Sequence, residues 1–444
     1  MKDRPLFRSA RFVLRLSPYF LALTLLGVLL ASATHAESNS GKERSGPQRI
    51  LAGYFEEWSI YGANYNVANL QQNGVADKIS HLIYAFANVS VTNSDEPSAT
   101  CQIADSWADY QSPYLPSVNG VPYSGPVYGN FAALQELKEL HPNLKILISL
   151  GGPSATNSAA FSTLAASAGL RAQFASSCID VFISGNIAPG INVPNLFDGI
   201  DIDWEFPSAS DKQNFTSLLR EFRKQLDVLG GLTSRHYLLT IAAPASVQNY
   251  PNIELHKAAE ALDFFNVEAY DYHRSGEPTT DFEAPLFDSK HDPDRSSNFY
   301  IEYTIEAYLD AGVPAQKIIL GVPFYGYGWT LVPDEHRGLY QAAGAVAPSP
   351  TGDSLATSGI ATFASLEHLN GFTRFFDPET LVPWLYSSES GTFWTFDDPV
   401  SVAFKMLYVN RRVPGGLGGA FFWAFKDDDA NGTLAKTMAV ELGR

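Results

Sequence analysis

Phe197-Asp198-Gly199-Ile200-Asp201-Ile202-Asp203-Trp204-Glu205-Phe206-Pro207 decides how the rest of the chain is read. In an extended strand, side chains alternate between two faces. Asp201, Asp203 and Glu205 then share one face, and Ile200, Ile202 and Trp204 share the other. An apolar outer face flanked by helical stretches suits a strand of a parallel barrel. Three carboxylates on the inner face suit no core. Same-face neighbours lie roughly 6.5–7 Å apart, so their charges repel and at least one proton is retained towards neutral pH. That is one way to keep a general acid protonated. An acidic row can also be a hard-cation site or a solvated strand end. Cation sites draw oxygens from flexible loops rich in Gly, Asn and carbonyls. Bulky apolar residues separate these carboxylates, which favours catalysis.

The segment Asp198-Gly-Ile-Asp201-Ile-Asp203-Trp-Glu205 resembles the D-x-x-D-x-D-x-E signature of family 18 glycoside hydrolases, the chitinases. The resemblance extends along most of the chain. Ser149-Leu-Gly151-Gly152 is similar to the family's S-x-G-G motif, with Pro153 where many relatives carry Trp. Glu268-Ala-Tyr270-Asp271 is similar to M-x-Y-D, with Glu268 in place of Met. Gly321-Val-Pro323-Phe-Tyr325-Gly326-Tyr327-Gly-Trp329 is similar to G-x-P-F-Y-G-R, with Tyr327 in place of Arg.

The resemblance implies a (β/α)₈ barrel and a secreted chitinase. Its reaction is hydrolysis of β-1,4 linkages between N-acetylglucosamine units by retaining, substrate-assisted catalysis. Glu205 is the implied general acid and base, Asp203 orients the acetamido group, Asp201 tunes Asp203, and Tyr270 binds the acetamido oxygen. Asp271, Trp423, Tyr54, Phe86, Glu268, Tyr327, Trp329, Gly151 and Gly152 are the expected substrate-binding residues. No metal or other cofactor is implied. Two alternatives stay open: a chitin-binding lectin on the same fold, and an endo-β-N-acetylglucosaminidase acting on glycans. The lectins typically lose the acid, and Glu205 is present.

By parity Glu268 shares the inward face with Tyr270. A fourth inward carboxylate costs desolvation unless it is protonated or paired. We expect Glu268 to be largely neutral and hydrogen-bonded within the acidic cluster; pairing with a basic residue is the alternative.

The 444 residues could hold two or three average domains, or one large barrel with an insertion. The formal net charge is −17. Residues 1–36 read as a secretory leader: Lys2, Arg4, Arg8, Arg11 and Arg15 precede an apolar run from about Tyr19 to Ala33, and Thr34-His35-Ala36 offers a small-residue cleavage site, with Ala31-Ser32-Ala33 as a second choice. Its removal leaves 25 basic and 46 acidic residues, or −21. Such a surface repels nucleic acid and anionic membranes. It suits a neutral or cationic polymer, such as partly deacetylated chitin; the resemblance implies chitin or chito-oligosaccharides as partner, and a monomer without stable membrane association is expected.

Residues 37–48 read as a polar linker, 49–330 as the first part of the barrel, 331–397 as an α+β insertion and 398–444 as barrel completion. Within the barrel, strands are expected near 50–55, 78–87, 145–150, 197–207, 236–243, 262–270, 317–324 and 418–424. Ser210-Asp-Lys-Gln213 forms a capping-box pattern, and Gly230-Gly231 offers a helix stop. A loop carrying Trp107, Tyr110, Tyr114, Tyr123 and Tyr128 is consistent with sugar stacking or with packing on the barrel rim. Export permits a Cys101–Cys178 disulfide, but spacing alone leaves it open.

Overall fold

The computed structural model describes residues 48–92, 95–350 and 359–444. The expected leader and nearly all of the polar linker lie outside the described residues. Among the described residues no helix is long and apolar enough to cross a membrane.

Eight parallel strands close into a barrel. In chain order the strands are β1 (Ile50–Glu56), β2 (His81–Thr92), β3 (Ser98–Ile103), β4 (Lys145–Gly151), β5 (Gly199–Asp203), β6 (Leu238–Pro244), β7 (Phe264–Glu268) and β8 (Ile318–Pro323). They continue with β9 (Tyr325–Thr330), β10 (Ala345–Val346), β11 (Ile360–Thr362), β12 (Thr373–Asp377), β13 (Val382–Ser387), β14 (Thr392–Phe396) and β15 (Gly419–Trp423). The sheet order β1-β15-β8-β7-β6-β5-β4-β2 closes through β1–β2 pairing, and β3 adds antiparallel to β2. Helices cover the outside, as parity on the central strand requires. Trp204 points outward between Phe161 and Phe215, with ring centroids 5.4 Å away in both cases. Inside, Ala52, Ile83, Phe264, Ile319 and Phe421 fill the barrel on the approach to the carboxylates.

The second, antiparallel sheet runs β10-β9-β14-β13-β12, with β11 on β9. It begins at Tyr325, six residues earlier than the expected boundary at 331. Tyr325-Gly-Tyr327-Gly-Trp329 alternates so regularly that it reads as a barrel continuation, but the barrel strand ends at Pro323 and, after Phe324, Tyr325 starts the other sheet.

Two helix-end signals are not used as expected. The helix after β5 spans Lys212–Thr233 and overruns Gly230-Gly231; Ser234 closes it in the left-handed region at φ 56°. Its amphipathic face, with Phe215, Leu218, Leu219, Phe222 and Leu226 buried, outweighs two glycines that cost about 1 kcal/mol each. The capping box around Ser210 does not form. Asp211 stands at the N-cap position, and its carboxylate instead accepts from Ser208 and Ser162.

Cys101 on β3 and Cys178 at a helix end form a disulfide across 77 residues. It ties the β2–β3 hairpin to the outer helices. Replacing both cysteines with Ala should cost about 4 kcal/mol in urea unfolding, from loop-closure entropy. Unchanged unfolding would show that packing alone holds the hairpin.

Candidate active site

Asp198 opens the central motif. Buried below the barrel mouth, it accepts from Lys138 Nζ at 2.6 Å, Arg235 at 2.8 Å and the Ile146 N–H at 3.0 Å. With Lys145 Nζ at 3.8 Å, three cations and a backbone donor thus fix the start of β5, and Asp198 takes no part in the cleft.

Asp201, one step up on the inner face, is fully buried. Strand register places Ser149 and Thr240 beside it. Four donors converge on it: Tyr54 Oη at 2.9 Å, Ser149 Oγ at 2.7 Å, Thr240 Oγ1 at 2.6 Å and Asn266 Nδ2 at 3.2 Å. Burial raises its pKa and these donors pull it back. Asp203 has no such support. Its Oδ1 is buried without a hydrogen-bond partner among the described residues. Burial first, then the charges of Glu205 and Asp201, push its pKa well above the carboxylate range. Of the two aspartates, Asp203 therefore holds a proton first.

Glu205 lies two residues beyond β5, at the mouth. Burial and Asp271 push its pKa up, Arg274 pulls it down, and it settles at about 7. Glu268, at the end of β7, does face inward. Asp203, Glu205 and Glu268 bring carboxylate oxygens within 4.8 Å of one another. Glu268 Oε2 is buried and unpartnered, and burial with its acidic neighbours raises its pKa strongly. Burial and its acidic neighbours favour the neutral form, and among the described residues that oxygen makes no hydrogen bond within the cluster.

Tyr270 and Asp271 follow β7. Asp271 adopts φ 59° and accepts from Tyr325 Oη at 2.6 Å. Arg274 lies 3.0 Å from its other oxygen. Two lobes of one cleft meet here. A lobe of about 510 Å³ is bounded by Phe206, Asn249, Tyr272 and Phe299. A larger one of about 1000 Å³ is bounded by Tyr54, Asp203, Tyr325, Tyr327 and Trp423. Glu205, Glu268, Tyr270, Asp271 and Arg274 line both. Phe86 lies between Trp423 and Trp58, 5.8 Å from each ring.

Three expected contacts are displaced. Trp329 is fully buried in the second sheet, and its indole N–H donates to the Glu277 carbonyl at 3.1 Å. Gly151 and Gly152 face their own chain. A Cβ on Gly151 would meet the Asp203 carbonyl at 2.3 Å, and one on Gly152 the Phe86 ring at 2.6 Å. Both have positive φ, 114° and 83°. These glycines permit close strand packing and do not line the cleft. Sequence reading missed Ser149, Thr240 and Asn266, although each is a polar residue at an inward position of an apolar strand. It also missed Arg274, which sits in a loop without periodicity. Of the loop aromatics, Tyr110 is buried against the barrel, whereas Trp107 and Tyr114 are exposed and face each other at 6.1 Å.

The carboxyl cluster sits at the carboxyl ends of the barrel strands, where catalytic groups of this fold lie. The sequence profile of the glycosyl hydrolases family 18 matches residues 50–428. The chain is 33% identical to Chitinase A1 of Niallia circulans, covering 98% of this chain and 63% of that one. It is 34% identical to Chitinase C of Streptomyces lividans, covering 86% and 58%. It therefore spans less than two thirds of either relative. Chitinase 1 of Aphanocladium album is 32% identical over 94% of this chain and 91% of its own. Among solved structures, the catalytic domain of psychrophilic chitinase B from Arthrobacter TAD20 superposes with a TM-score of 0.80 at 30% identity, covering 89% and 95%. A class V chitinase mutant from Nicotiana tobaccum, solved in complex with NAG4, gives 0.70 at 25% identity, covering 89% and 99%. The chain belongs to glycosyl hydrolases family 18.

A carboxyl whose pKa is raised on folding stabilises the protein less as pH rises from its unfolded value through its folded one. Glu268→Met should therefore gain stability relative to wild type as pH rises above the ordinary glutamate value of about 4.3. Melting curves across that range check this. A difference that does not change with pH would mean that Glu268 is ionised throughout.

Proposed function

We propose that the chain is a chitinase that cleaves β-1,4 linkages in chitin or chito-oligosaccharides by retaining, substrate-assisted catalysis, with Glu205 as general acid and base. The observation that carries this reading is Glu205, held at about pKa 7 at the partition between two cleft lobes. An acid tuned near neutral pH is efficient in both directions of proton transfer. Glu205 gives its proton to the glycosidic oxygen as the bond to the anomeric carbon breaks. The acetamido oxygen of the same sugar forms the new bond, giving an oxazolinium. Water then attacks the anomeric carbon as its bond to the acetamido oxygen breaks, loses a proton to Glu205 and restores the starting configuration. The unpartnered Oδ1 of Asp203 is the acceptor available to the acetamido N–H. The Tyr270 hydroxyl, kept protonated by burial beside Glu268 and Asp271, can donate to the acetamido oxygen. Donors and acceptors already in place stabilise developing charge without reorganisation.

Trp423 and Tyr54, 5.3 Å apart, offer the larger lobe an aromatic floor for an apolar pyranose face. The two lobes share Glu205, Glu268, Tyr270, Asp271 and Arg274 as lining, and lobes on either side of the acid suit a linear polymer. Secretion through the leader at 1–36 and action as a monomer complete the proposal.

Hydrolysis of an N-acetylglucosamine hexamer, followed by NMR of fresh products, tests this. Wild type should release β-anomer, and Glu205→Gln should lose about 10²–10⁴-fold in rate. The protonated acid is the active form, so kcat/KM should fall as pH rises through about 7. Release of α-anomer would refute retention. Binding without cleavage would indicate a lectin, and cleavage confined to glycoprotein glycans an endoglycosidase.

A further inference from the structure

Among the described residues, those lining both lobes comprise three carboxyl groups, one phenol and one cation, Arg274. The other cation in the cleft, Lys426, is engaged by Glu56 at 3.1 Å and Asp427 at 3.0 Å at the far end of the larger lobe. Arg274 is held differently. One guanidinium nitrogen meets Asp271 at 3.0 Å, while the side chain remains more than half exposed to the cleft. A guanidinium has five donors, so one contact leaves several to spare.

The loop that carries it is firmly built. Glu277 accepts from the Arg274 N–H at 3.1 Å and pairs with His273 at 2.9 Å. The Glu277 N–H donates back to the Arg274 carbonyl, and the Glu277 carbonyl receives the Trp329 indole N–H. The second sheet therefore braces this loop against the cleft. Asp271 is itself fixed from the opposite side by Tyr325.

We propose that Arg274 is a specificity-determining residue that straddles the point of cleavage. One edge of its guanidinium positions Asp271, and the other donates to hydroxyl or acetamido oxygens of the sugars flanking the scissile bond. Its charge also acts on Glu205, which otherwise faces only acidic and phenolic groups: Asp203 from β5, Glu268 from β7, and Tyr270 and Asp271 beyond β7. Among the described residues, Arg274 lowers the Glu205 pKa against burial and Asp271, which raise it. This inference rests on the chitinase reading.

Two variants separate charge from shape. Arg274→Ala should raise KM for the hexamer about ten- to hundredfold, the loss expected for charge-assisted hydrogen bonds. It should also move the alkaline limb of kcat/KM to higher pH, because an acid with a raised pKa stays protonated longer. Arg274→Lys keeps the charge but not the planar fork. It should restore the limb while KM stays high. Calorimetric binding of the hexamer to Glu205→Gln, with and without Arg274→Ala, reads the contact without turnover. Equal affinity in those two proteins, or a wild-type KM and limb in Arg274→Ala, would overturn the proposal. A wild type that binds the hexamer without cleaving it would instead refute the chitinase reading, and the calorimetric comparison would still decide the contact.

Discussion

A single buried carboxylate organises the barrel mouth. Asp201 on β5 gathers donors from β1, β4, β6 and β7 through Tyr54, Ser149, Thr240 and Asn266. An isolated carboxylate in a dry interior is prohibitive, and four donors make it tolerable. The same bonds make Asp201 a cross-strand tie. With its lone pairs occupied, the next proton goes to the carboxyls above it. Asp203, Glu205 and Glu268 all have raised pKa values, led in each case by burial; neighbouring carboxylates add to it, Glu205 and Asp201 acting on Asp203, Asp271 on Glu205, and Glu205 and Asp203 on Glu268. The exposed end of this column is Glu205, where a labile proton is useful.

The second sheet is tied to the same chemistry. Its first strand supplies Tyr325, which fixes Asp271, and Trp329, which braces the loop of Arg274. A wall that deepens the cleft is thus also the support of two charged groups beside the acid. Tyr327 from the same strand faces the larger lobe. The chain departs from the family motifs at Pro153, Glu268 and Tyr327, and all three residues line the cleft. Such departures alter polarity around the sugars without touching Asp201.

Much of this was legible in sequence because parity is a strict geometric rule. Ile200-Asp201-Ile202-Asp203 could face only one way if its apolar side met helices, and the structure puts Trp204 between Phe161 and Phe215. Glu268 and Tyr270 followed by the same rule. Parity says nothing about which sheet a strand joins, so Trp329 was placed in the cleft although it lies in the wall. Glycines are ambiguous for a similar reason. At 151 and 152 the close approach is to the chain itself, and only three-dimensional contacts distinguish that from a ligand. Gly230-Gly231 failed as a stop because burial of a long apolar face outweighed a local preference. Arg274 left no pattern at all, since loop residues acquire their neighbours only through tertiary structure.

The central claim is that burial above a donor-saturated Asp201 holds the Glu205 proton near neutral pH. Its most direct measurement is a carbon-13 NMR titration of side-chain carboxyls in the free, glutamate-labelled protein, with Glu205→Gln to assign the signal. A glutamate titrating at about 7 in wild type and absent from the variant is the predicted result. Glu205 titrating in the ordinary carboxylate range, at about 4.3, would contradict the account.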